Sequence, residues 1–195
     1  MFKRVENLLP ELDFNQIADT VNSFKFDWHY LPGTVPPDHK QFILDSNDFQ
    51  VFDSEQFVHV FVGDNEEYSS YVKIIEIILT AWENVMGKKI LELGRIKANM
   101  LMRKPGKEKY FNCPHTDRPD PGWTSMVYYI NNSDGDTVLF DKAGTESCKD
   151  MKIIDSNPPK KNHAVIFDSD RYHTSTNPVD NSNRIVLNFI AKFEK

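Results

Sequence analysis

The stretch that decides the reading is HTDRPDPGW, residues 115–123. A histidine and an aspartate stand two positions apart, and a charged, proline-rich loop follows. In an extended chain residues i and i+2 share a face. If His115 and Asp117 end a strand, an imidazole and a carboxylate point at one spot. A single H-x-D pattern carries little weight, because a lone histidine is more often a surface or core residue and an aspartate readily caps a turn. Two distant residues add the weight. His173 lies 58 positions later (173 − 115 = 58), just beyond the apolar run HAVIFDS (163–169). Arg184 lies 11 further (184 − 173 = 11) and opens the last apolar run.

Outward from this stretch the chain divides into two parts. After Gly87 it is strand-rich: RIKANMLMRK (95–104), TSMVYYIN (124–131), DTVLFD (136–141), MKIIDS (151–156), HAVIFDS (163–169) and RIVLNFIAKF (184–193). Turn signals separate these runs at Pro105-Gly106, Asn131 to Gly135, Pro158-Pro159 and Asn177 to Asn183. Short strands at this spacing predict a barrel or sandwich. Before Gly87, a 3.6-residue apolar stripe from Asn65 to Met86 predicts one long helix, with Asp64 or Asn65 as N-cap and Gly87 as stop. A short helix is expected around Phe14 to Val21, a strand and turn over 24–33 stopping at Pro32-Gly33, a strand at 57–63, and irregular chain at 34–56.

Composition bounds the function. The 195 residues, 39% hydrophobic and 27% charged, suit one folded domain spanning 1–195. Within it, 1–94 is an N-terminal elaboration with a supporting helix and 95–195 the β core. No run reaches the roughly 20 apolar residues of a membrane helix, and no secretory leader is evident, so a cytoplasmic location is expected. Two cysteines, Cys113 and Cys148, are too few for a disulfide framework. The net charge of −6 gives no support to nucleic-acid binding. The only basic clusters, KPGKEK (104–109) and PPKK (158–161), read as turns.

Two imidazoles and one carboxylate on one face of a metal leave three octahedral positions open, the facial triad of non-haem Fe(II) oxygenases. An arginine deeper in a barrel suits a two-pronged bond to a dicarboxylate. A double-stranded β-helix is a fold that brings such distant residues to one end. Other readings stay open. A cupin-like metal-binding module without turnover would keep the triad and need no Arg184. A zinc hydrolase also uses three protein ligands, but adds a general base nearby. His29, His39, His59 and His163 have no spacing that argues for ligation. Cys113 shares the expected strand face of His115, and a small buried residue is the favoured reading.

From Arg95 to Phe193 the sequence resembles the prolyl-hydroxylase-like branch of the Fe(II)/2-oxoglutarate dioxygenases. PG…HTD (105–117), VYYIN (127–131), DGDTVLF (134–140), AVIFDSDRYHTSTNPV (164–179) and NRIVLNF (183–189) occur in that family's order. The resemblance implies a mainly β, jelly-roll or cupin-like double-stranded β-helix with supporting helices. It implies Fe(II) on His115, Asp117 and His173, with 2-oxoglutarate and O2 as cosubstrates and ascorbate as an optional reductant. Arg184 would hold the C5 carboxylate of 2-oxoglutarate, Tyr129 would share it, and Asn188, on the face of Arg184, would line the pocket. The chemistry implied is decarboxylation of 2-oxoglutarate to succinate coupled to hydroxylation of a C–H bond. The expected substrate is a prolyl or other side chain of a protein or peptide, with a free amino acid or small metabolite as the alternative. Nucleic-acid demethylases of the superfamily carry a second arginine six positions after the first; Ile190 stands there. The sequence departs from the family in three further places. Arg103 and Lys104 stand where a tyrosine precedes the Pro-Gly turn, with Tyr110 as its nearest replacement. Asp134-Gly135-Asp136-Thr137 is one glycine short. Asn162 replaces a glycine before a late strand. Oligomeric state is left open.

Overall fold

The last strand shows how the fold is built. In NRIVLNFIAKF, Ile185, Leu187, Phe189 and Ala191 are buried on one face, while Arg184, Val186 and Asn188 line a pocket on the other. A strand apolar on both faces with polar residues inserted in one must sit centrally in a sheet. In the computed structural model it does. The structure describes all residues except 47–50, 64–65, 105, 107–110 and 145.

The elements run β1 (Phe2–Val5), α1 (Glu11–Val21), β2 (His29–Leu31), α2 (Pro37–Ser46), β3 (Gln56–Gly63), β4 (Glu66–Glu67), α3 (Val72–Met86), β5 (Ile90–Met102), β6 (Trp123–Tyr129), β7 (Thr137–Ala143), β8 (Ile153–Asn157), β9 (Ala164–Asp168), β10 (Arg171–Ser175) and β11 (Asn183–Phe193). The larger antiparallel sheet has the order β1-β9-β6-β11-β5-β3-β2, with β4 paired to β3; the smaller is β10-β7-β8. This is a mainly β, jelly-roll double-stranded β-helix. Among the described residues no helix is long and apolar enough to cross a membrane.

Three apolar layers hold it. On the outer face of the large sheet, Ile75, Ile78 and Trp82 of α3 and Phe14, Ile17 and Val21 of α1 pack on Ile96, Met126, Tyr128, Leu187 and Phe189. Each such buried side chain contributes roughly 1.5–3 kcal/mol. Between the sheets lie Val127, Tyr129, Leu139, Val165, Phe167 and Val186. Ile43 of α2 covers the far side of the small sheet with Cys113, Val138, Phe140 and Tyr172.

Several expectations are corrected. Residues 24–33 are not one strand; only His29–Leu31 pairs, with β3. Residues 34–56 are not wholly irregular: α2 starts at Pro37, where proline at the first helical position loses no needed N–H. The N-terminus adds β1, which pairs with β9. The long helix begins at Val72, not at 65, because Glu66 and Glu67 give their backbone groups to β3. The expected caps Asp64 and Asn65 lie outside the described residues. Gly87 ends α3 with φ 65°, as a left-handed stop does.

Candidate metal centre

His115 does not end a regular strand. Pro114, which has no N–H, interrupts any ladder there, and one isolated bridge remains between His115 and His173. Its two backbone bonds measure 3.0 and 2.9 Å. Asn112 N–H to Ser175 O (2.8 Å) and Asp117 N–H to Ser169 O (3.0 Å) extend the pairing on either side. A buried side-chain network fixes the same segment. Asn112 Oδ1 accepts the Ser54 N–H (2.7 Å), Thr174 Oγ1 donates to Asn112 O (2.6 Å), and Asn177 Nδ2 donates to Met102 O (2.9 Å). The ligand atoms of His115, Asp117 and His173 lie within 4.8 Å of one another.

Each member of the cluster is oriented by a second bond. His115 Nδ1 lies 3.1 Å from Cys113 O, and His173 Nδ1 lies 3.0 Å from Arg171 O. A carbonyl can only accept, so Nδ1 carries the proton in both rings and Nε2 keeps its lone pair for a metal. Asp117 Oδ1 accepts from Arg95 Nη2 (3.0 Å) and Oδ2 from Ser125 Oγ (2.6 Å). Ser125 is in turn 2.8 Å from Ser169 Oγ. Burial alone would raise the Asp117 pKa. The fields of His173, Arg95 and His115 and the Ser125 hydroxyl outweigh it and hold the carboxyl well below its usual range. Burial, reinforced by His173, pushes His115 down to about 3, which keeps its imidazole neutral. The Asp117 carboxylate and the His115 imidazole are therefore in the form a metal ligand needs.

Arg184, 4% exposed, lies deeper. Its Nε donates to Gly135 O (2.9 Å) and its Nη2 to Thr137 Oγ1 (2.7 Å). Among the described residues no carboxylate pairs with it. Asp136 acts on it only through its field, without an ion pair, so a ligand carboxylate in direct contact would offset much of the cost of burying the guanidinium. Tyr129 donates to the same Thr137 hydroxyl (2.9 Å), so it reaches Arg184 through Thr137. Its phenol is pushed up to about 12 by burial. Asn188 faces the pocket with its Oδ1 buried and unpartnered. The pocket, a narrow cavity of about 70 Å³, is lined by both histidines, Arg184, Asn188, Arg95, Lys97 and Thr137, among others.

The family departures have local causes. A Cβ on Gly135 would lie 2.6 Å from Thr176 O and 3.1 Å from Arg184 Cδ, so this glycine is the one the site needs. Asp134, beside it, binds the N–H groups of Val179, Asp180 and Asn181 with its carboxylate. Asn162 has φ 62°, a conformation asparagine tolerates well. Its side chain also ties Leu9 to the sheet through two bonds and accepts from Tyr128 Oη (2.8 Å). Lys104 turns outward to Glu55, and Leu101 lines the pocket instead. Tyr110 lies outside the described residues. Cys113 is fully buried, its thiol pushed up to about 12 chiefly by burial, and it acts through its carbonyl on His115. Sequence reasoning missed Arg95, Ser125, Ser169 and Thr137. Arg95 had the one visible signal, an i, i+2 spacing from Lys97 on a predicted strand.

Solved structures share this arrangement of sheets. An oxidoreductase of the 2OG-Fe(II) oxygenase family from Burkholderia pseudomallei aligns over 98% of this chain and 84% of its own, with a TM-score of 0.65 and 11% identity. This is the fold of the 2-oxoglutarate/Fe(II) oxygenases. The epimerase SnoN, in complex with Fe3+, α-ketoglutarate and nogalamycin RO, aligns over 98% of this chain and 78% of its own, with a TM-score of 0.61 and 10% identity. The α-ketoglutarate-dependent carbocyclase SnoK from nogalamycin biosynthesis aligns over 98% and 79%, with a TM-score of 0.63 and 7% identity. No family model and no curated protein matches the sequence. At such identities the likeness concerns the oxygenase fold, and the function rests on the residues of the site.

Proposed function

We propose that the chain is an Fe(II)- and 2-oxoglutarate-dependent oxygenase that hydroxylates a C–H bond. One observation carries this reading: the Nε2 atoms of two histidines and an ionised aspartate converge in a pocket that also holds a buried guanidinium ion-paired with no carboxylate among the described residues. The donor set fits Fe(II), and the lone guanidinium fits the far carboxylate of 2-oxoglutarate. His115, Asp117 and His173 would hold the metal. Arg184, oriented by Gly135 and Thr137, would hold the cosubstrate, with Tyr129 and Asn188 completing its surroundings. Bound iron supplies the activation of O2 and the oxidation of the substrate.

The protein positions and shields. Arg95 and Ser125 keep Asp117 ionised and fixed, and the backbone carbonyls of Cys113 and Arg171 fix the two rings. A zinc hydrolase would need a general base beside the metal, and the described residues lining the pocket include no carboxylate for it. A metal module without turnover would have no use for Arg184. Residues 95–195 form the catalytic core in this reading, and 1–94 extend it through β1, β3 and the helices. The resemblance favours a prolyl or other peptide side chain as substrate, with a small metabolite as the alternative.

Succinate release from 2-oxoglutarate in air, without added substrate, tests the assignment. It should require Fe(II), stop in Asp117→Ala, and demand at least about tenfold more 2-oxoglutarate in Arg184→Met, as loss of a charge-assisted bond implies. Release indifferent to Asp117→Ala would overturn it.

A further inference from the structure

The reading above leaves part of the pocket unused. Along β5, Arg95, Lys97 and Asn99 alternate onto the pocket face, and Asn188 of β11 stands opposite Lys97. Among the described residues, the Lys97 ammonium has no hydrogen-bond or ion-pair partner. Arg95 Nε, Asn99 Oδ1 and Asn188 Oδ1 are buried and also unpartnered. Arg95 Nε and the Lys97 ammonium are donors that an anionic group would meet, whereas the Asn99 and Asn188 oxygens accept and call for a donor on the same ligand. They form one strip, running from the Arg95–Asp117 pair toward Asn99.

Charge points the same way. The pocket face carries Arg95, Lys97 and Arg184, and among the described residues Asp117 is the only carboxylate ion-paired with any of them. Fe(II) with Asp117 and the C1 carboxylate of 2-oxoglutarate is neutral. Arg184 with the C5 carboxylate is neutral. Arg95 stays paired with Asp117, and Lys97 remains as the pocket cation without a carboxylate partner among the described residues.

We propose that the substrate carries an anionic group of carboxylate size and that Lys97, beside Arg95, docks it next to the metal. The substrate class is thus an acidic small molecule, or a peptide side chain next to an acid, rather than a neutral one. Lys97 is a specificity residue here and takes no part in the metal or the Arg184 contact. Its ammonium, held by burial at about 8, is a poorly solvated cation that gains from an anion. The inference rests on the oxygenase reading.

The test uses the whole protein loaded anaerobically with Fe(II) and saturating 2-oxoglutarate. Acetate and its neutral isostere acetamide are titrated into wild type and Lys97→Met, followed by calorimetry and by the visible band of the ternary complex. Acetate should bind wild type at least tenfold more tightly than acetamide. Lys97→Met should erase that preference while its 2-oxoglutarate affinity stays within twofold. Acetate bound equally by both proteins is metal ligation and overturns the inference, as does no preference for acetate in wild type. A tenfold loss of 2-oxoglutarate affinity in Lys97→Met would assign the lysine to the cosubstrate and overturn it too. Absence of the visible band in wild type would instead strike the oxygenase reading itself.

Discussion

Asp117 shows how much of the site depends on single atoms. Its two oxygens are divided between Arg95 and Ser125, and Ser125 is steadied by Ser169. Such outer partners typically contribute 10–100-fold to metal affinity. Ser125→Ala should therefore weaken Fe(II) or Mn(II) binding by roughly that factor without unfolding the protein; unchanged affinity in a metal titration would refute the role. Lys97 gives a second residue-scale expectation. Burial lowers its pKa from 10.5 to about 8, so the folded state disfavours the charged form. Both states are charged below about 8, and the penalty is then complete. Lys97→Met should thus stabilise the ligand-free protein at pH 7 by roughly 1–3 kcal/mol. The gain should fade as pH rises from about 8 toward 10.5, where wild type becomes neutral in both states. Urea melts at pH 7 and pH 10 check this, and an equal gain at both would contradict it. His115, Asp117, His173 and Arg184 stood out in the sequence through their joint spacing and motif order, although each residue alone fits commoner roles. Ser125, Ser169 and Thr137 were not, because a hydroxyl is useful almost anywhere and only the strand register gives these three a partner.

At the scale of elements, the longest patterns were the easiest to read. The alternation of β11 and the stripe of α3 each survive because one face meets a deep apolar layer. β10 was not delimited in advance, since Tyr172 and His173 carry no clear alternation and the strand has a bulge between Arg171 and His173. α2 was hidden because Phe42, Ile43 and Leu44 are consecutive rather than spaced by turns, and Pro36-Pro37 looks like a break. The segment holding His115 is held more by side-chain bonds from Asn112 and Thr174 than by a ladder, which no periodicity reveals. Among the glycines, Gly135 leaves the least room for a side chain, because an added Cβ would meet Thr176 O and the stem of Arg184. Gly135→Ala should cost about 1–3 kcal/mol by overpacking and weaken 2-oxoglutarate binding by displacing Arg184. Calorimetric melting and a cosubstrate titration test both effects, and a variant with wild-type values in each would show that the contact relaxes freely.

The whole molecule joins these parts by topology. The two sheets bring β5, β6 and β11 against the bridge between His115 and His173, so residues 58 positions apart (173 − 115 = 58) share one centre. Strand count and turn signals pointed to a barrel or sandwich, and the order of the motifs narrowed it to the double-stranded β-helix. The edge strands β1 and β4 add only a few residues each and left no signal. The central claim is that this centre binds iron and 2-oxoglutarate together. The most direct measurement is the visible spectrum of the anaerobic Fe(II)-loaded protein as 2-oxoglutarate is added, before O2 is admitted. The account predicts a weak metal-to-ligand charge-transfer band that is lost in His115→Ala and, at limiting cosubstrate, weakened in Arg184→Met. Folded, iron-loaded protein that shows no band with saturating 2-oxoglutarate would contradict it.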